Sequence, residues 1–99
     1  MKIYKDKEMT EEIENDTFEL GIVPAGEIKR FTFWVYNDSP AHLKNLQFII
    51  GHDEVKILEA PIELIAQAIG ELIIEWKPSI TLKEGLKTPL RIKGIELWG

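Results

Sequence analysis

Two-residue alternation of apolar and polar positions dominates the chain from Phe18 onward. The stretch Phe18-Glu19-Leu20-Gly21-Ile22-Val23-Pro24-Ala25-Gly26 reads as a strand closed by a tight turn. Glu27 to Asn37 carries the strongest pattern. Phe31, Phe33 and Val35 occupy one face, and Ile28, Arg30, Thr32, Trp34 and Tyr36 the other, so the first set is expected in the core. After the turn Asn37-Asp38-Ser39-Pro40, Leu46, Phe48 and Ile50 share a face within Leu43 to Ile50, and Gly51-His52-Asp53 closes that element. Val55 and Ile57 continue the alternation to Pro61, which cannot donate to a ladder and marks an edge, a crossover or a switch between sheets. Leu72, Ile74 and Trp76 alternate with Ile73, Glu75 and Lys77, and Glu84-Gly85 turns the chain into a last strand that runs from Leu90 and Ile92 to Leu97-Trp98.

Two segments resist this reading. Residues 1–17 hold eight charged side chains after Lys2 and only Ile3, Tyr4, Met9 and Ile13 as large apolar groups. They form a charged arm or a weak first strand, with a short helix over Lys7 to Glu14 as a third option because Met9 and Ile13 stand four apart. Pro61 to Ile69 fits strand and loop, or a short buried helix; the β patterns on both sides favour the former. Short strands every ~8–12 residues with Gly and Pro between them predict an all-β fold, a single antiparallel β-sandwich of about seven strands over 18–99. Its expected core includes Phe31, Phe33, Val35, Phe48, Ile74 and Trp76.

Composition narrows the function classes. A chain of 99 residues supports one domain with one core. Met1 reads as a natural start, and the expectation is a complete single-domain protein. With 12 Lys+Arg against 17 Asp+Glu the net charge is −5, which disfavours a nucleic-acid partner. There is no cysteine, and hence no disulfide or thiol chemistry. The charged start lacks the apolar run of a secretory signal, and no stretch has the length of a membrane span, so the expectation is a protein made in the cytoplasm with no membrane partner.

No residues stand in a recognisable catalytic pattern. His42 and His52 sit in turn-like segments without the pairing of a metal site, and are expected to be solvated loop residues. Ser39 and Ser79 lie beside prolines, with no Gly-x-Ser-x-Gly elbow. Glu11, Glu12, Glu14 and Asp16 lack the loop of a calcium site. Asn15-Asp16-Thr17 and Asn37-Asp38-Ser39 match the glycosylation triplet, but Asn37 reads as a turn residue bonding nearby backbone. The expectation is therefore no enzyme, no metal and no cofactor. The aromatics are the candidates for function. Trp34 and Tyr36, opposite in parity to Phe33 and Val35, are expected on an outer sheet face as partner-binding residues unless the arm or a terminal strand covers them, and Trp98 has a similar pair of readings.

The combination Phe18-x-Leu20-Gly21-x-Val23-x-x-Gly26, Phe33-x-Val35-x-Asn37-x-Ser39, Ile74-x-Trp76-x-Pro78 and Gly85 resembles the immunoglobulin-like domains of the major-sperm-protein and abnormal-spindle/hydin type, over Phe18 to Leu97. Such domains are non-catalytic assembly, filament, ciliary or adaptor modules, and similar ones recur in bacteriophage particles. The resemblance implies a structural protein that docks on a larger assembly. Its most concrete version is a virion accessory subunit such as a head decoration protein, bound to capsid, neck or tail proteins and open to homo-oligomer formation. The alternatives are a cytoplasmic adaptor or strand-exchanging module that binds peptides at a sheet edge, and a carbohydrate-binding sandwich that stacks sugars on its outer aromatics.

Overall fold

In a computed structural model describing residues 1–98, Phe33 and Val35 turn inward from the strand Lys29–Tyr36 as their parity requires, and seven strands form in all. These are β1 (Lys2–Tyr4), β2 (Thr17–Gly21), β3 (Lys29–Tyr36), β4 (His42–Ile50), β5 (Val55–Glu59), β6 (Ile69–Trp76) and β7 (Leu86–Leu97). Every pairing is antiparallel. One sheet has the order β1-β3-β6-β5 and the other β2-β7-β4, which makes an all-β sandwich.

The core lies between the sheets. Phe33 meets Leu72 across the β3–β6 ladder, and the Phe18 ring from the opposite sheet stacks on it with centroids 4.3 Å apart. Val35, Ile74 and Trp76 are completely enclosed beside them. Phe31 and Phe48 pack against this core without being fully buried, a correction to their expected place within it. Phe31 lies toward the start of β3, where Lys29 Nζ sits 5.2 Å from its ring centroid.

β4 buries both Leu43 and Leu46, an odd spacing that simple alternation forbids. A register shift between Lys44 and Gln47, with Asn45 at φ 52°, absorbs the extra residue. Gly85, at φ 79°, serves the turn into β7: a Cβ there would stand 3.0 Å from the Gly21 carbonyl oxygen.

The structure decides the open segments and corrects the place of the sheet switch. The arm forms no helix over Lys7 to Glu14. The Asp6 carboxylate accepts the backbone N–H groups of Thr10 and Glu11, Met9 takes a left-handed φ of 59°, and Ile13 N bonds Ile3 O, so the loop folds back on β1 and buries Ile13. The chain changes sheets at Gly51–Glu54, between β4 and β5, and not at Pro61, because β5 and β6 pair in one sheet. Residues 61–68 are loop with a single bridge, Leu64 to Leu43.

Candidate docking surface

Strand β3 places Trp34 and Tyr36 on the outer face of the four-stranded sheet, as their parity predicts. Both are half-buried rather than freely exposed, and the reason is β1. Tyr4 pairs with Trp34 and Lys2 with Tyr36, while Glu71 and Ile69 of β6 flank the same two residues on the other side. The Tyr36 hydroxyl donates to Gln67 Oε1. A three-residue strand in a charge-rich arm thus covers part of the surface that strand parity alone leaves open.

Trp98 is far more accessible. It is 67% exposed and follows Leu97, which pairs with His42 at the start of β4. Ile95 and Leu97 share the outer face of the three-stranded sheet, and both are exposed. The structure therefore brings Tyr36, on the outer face of the four-stranded sheet, and Trp98, just past the end of β7 in the other sheet, to one end of the sandwich without joining them in one plane.

The end itself is organised by Asn37, which is completely buried. Its Nδ2 donates to the carbonyls of Ala41, Leu64 and Ile65 at 2.8, 3.0 and 3.1 Å, and its Oδ1 accepts from Ser39 N. Asn37 N and O also bond Ala68 O and Gln67 N. One side chain thereby locks the turn after β3 to the 61–68 loop. That loop carries Ile62 and Ile65, exposed by 76% and 62%, along the edge of β4 away from β7. Sequence alternation could not reveal these two isoleucines as surface groups, because their exposure follows from the long-range bonds of Asn37.

The histidines are not free in solvent, contrary to expectation. His42 opens β4 with Nε2 enclosed and 3.5 Å from Glu63 Oε2. His52 Nδ1 accepts from Glu54 N, and its ring meets Trp76 edge-on. Among the described residues no group of three or more His, Asp or Glu side chains could hold a metal ion, and no helix is long and apolar enough to cross a membrane. Lys5, Glu12, Glu14, Glu19 and Lys87 line a polar surface hollow between the arm and β2, with charges of both signs exposed to water.

What the surface offers chemically is apolar area with a polar border. Ile95 and Leu97 are exposed on the three-stranded sheet with Trp98 following, Ile69 is exposed on the other sheet and Ile62 and Ile65 on the 61–68 loop, and Lys44 and Lys93 adjoin Ile95 on the sheet face. Comparison with family models, with curated proteins and with solved structures finds no match to this chain.

Proposed function

We propose that this protein is a non-enzymatic protein-binding module that docks on a larger assembly through the end bearing Leu97 and Trp98, with a virion accessory or decoration subunit as the most concrete form. The observation that carries the reading is the 67% exposure of Trp98 directly after the exposed Ile95 and Leu97 of β7. Exposed apolar groups concentrated in one region mark contact surfaces more often than scattered ones do. Tryptophan is also the residue type most enriched among interface residues whose loss is costly. Trp34 and Tyr36 contribute only what β1 and β6 leave accessible, since each is flanked on both sides by strands of the same chain.

The resemblance of the Phe18 to Leu97 segment to immunoglobulin-like assembly modules points the same way, as an analogy of fold and not of site. The test is co-sedimentation with candidate particles. Wild-type protein is expected in the particle fraction, and a Leu97→Ser/Trp98→Ala variant with an unchanged melting curve in the supernatant.

A further inference from the structure

The backbone edge of β7 is occupied along only half its length on the side facing β2. Thr17–Gly21 of β2 pairs with Leu86 to Pro89, and one more bond, Leu90 N to Asp16 O at 2.7 Å, ends the contact. Asn15 and Asp16, both in the left-handed region at φ 55° and 49°, then turn the chain away toward β1. Beyond Leu90 the other edge of β7 is paired with β4 through Leu97. Gly51 N bonds Pro89 O on that side while Leu90 N bonds Asp16 O on this one, so the two partners flank β7 on opposite edges. Backbone groups alternate in direction along a strand. The N–H and C=O of Ile92, Gly94 and Glu96 therefore point into the lane that β2 has left, where no strand among the described residues pairs with them.

That lane opens onto a cleft. A hollow of about 520 Å³ lies there, lined by the apolar Leu43, Leu46, Leu90 and Ile92 with Gly94, and by Met1 and the polar or charged Asp16, Asn37, Ser39, Arg91 and Glu96. Gly94 is part of the lining: a Cβ there would stand 2.8 Å from Leu46 Cδ2. An unpaired edge beside a hollow with a run of apolar side chains along the strand is an arrangement that accepts an extended strand, whose main chain supplies hydrogen bonds and whose alternate side chains pack on that run.

The filled half of the lane shows which chemistry suits the vacant half. There β2 turns Phe18 and Leu20 inward and Glu19 outward, with Glu19 Oε1 3.7 Å from Lys87 Nζ. Along β7 the outward positions after Lys87 and Pro89 are Arg91, Lys93, Ile95 and Leu97, of which Arg91 and Lys93 are exposed cations without a carboxylate partner among the described residues. We propose that the β7 edge from Arg91 to Leu97 is a strand-accepting site for an extended segment of a partner protein, with apolar residues alternating with Asp or Glu, laid end to end with β2. The assignment goes beyond docking through the Trp98 end and does not rest on it.

The probe is a fluorescein-labelled peptide of about nine residues alternating valine and glutamate, long enough at ~3.3 Å per residue to span the open edge. Saturable anisotropy binding is expected, together with slowed hydrogen exchange at the amides of Ile92, Gly94 and Glu96 and unchanged exchange along β5. A serine–glutamate peptide, with the charge kept and the apolar face removed, should bind at least ~tenfold more weakly. Arg91→Glu with Lys93→Glu, both at exposed positions, should keep the melting curve, lose about tenfold in affinity for the valine–glutamate peptide and gain it for a valine–lysine one. No saturable binding, or protection at other amides, overturns the proposal. So does a concentration-dependent dimer already protected at Ile92, Gly94 and Glu96 without peptide, which would make a second copy the occupant.

Discussion

Asn37 Nδ2 lies 3.0 Å from the carbonyl oxygen of Leu64, a residue 27 positions later that itself bridges to Leu43 at the edge of the other sheet. Through this contact the turn after β3, the 61–68 loop and the start of β4 hold one another. An Asn37→Leu variant would leave the carbonyls of Ala41, Leu64 and Ile65 without their side-chain donor in a buried setting. The expected loss is about 2–3 kcal/mol, read as a lower midpoint in urea at unchanged slope. A midpoint equal to the wild type's would mean that water replaces the amide.

Phe33→Ala should cost roughly 3–5 kcal/mol, because it empties a buried site and removes the ring on which Phe18 stacks. Since native domains hold only ~5–15 kcal/mol in total, thermal melting should shift by many degrees. A shift of one or two degrees would contradict the inward assignment of Phe33.

Thr88 stands opposite Phe18 on the inner face of β7, with its hydroxyl buried and unbonded. Replacing it by valine keeps the branched shape and removes a polar group that lost its water for no return. Thr88→Val is expected to raise stability by about 1 kcal/mol in chemical denaturation. Destabilisation instead would show that an ordered water or a rotated hydroxyl satisfies the threonine.

The Asp6 carboxyl is held below its ordinary value of 3.8, first by the Thr10 hydroxyl and then by the Glu11 N–H, both of which favour the charged form. A depressed folded-state value means that this turn's contribution is fully present above the ordinary carboxylate range and is lost as pH falls through the folded midpoint. Carboxyl-detected NMR titration should place the Asp6 midpoint below 3.8, and Asp6→Asn should flatten the pH dependence in that acidic window. An ordinary midpoint would show that the turn is not held by its carboxylate.

The two-residue period made β3 and β6 legible, down to the facing of Phe33, Val35, Ile74 and Trp76, because each strand buries one face. It failed wherever pairing is decided at long range. Ile3 and Tyr4 sit among charges, and only their partners Val35 and Trp34 make them a strand. Leu43 and Leu46 face the same way through the bulge at Asn45, which alternation cannot encode. Trp34 and Tyr36 had the right face but not the predicted freedom, because the same short strand lies beside them. The exposure of Trp98 was an open choice from sequence, and the vacant half of the β2 lane depends on where Asn15 and Asp16 turn the chain.

Docking through the Leu97–Trp98 end is tested most directly by quantitative co-sedimentation of purified protein with virions or other large assemblies from the source of the chain. Wild type and Leu97→Ser/Trp98→Ala should be compared at matched concentration. A central tryptophan contributes ~2 kcal/mol or more to an interface, equivalent to at least about thirtyfold in affinity. The predicted result is wild-type protein in the particle fraction and the variant in the supernatant, with superimposable melting curves. Equal sedimentation of both proteins, or wild-type protein that stays in the supernatant with every particle tried, would contradict the account.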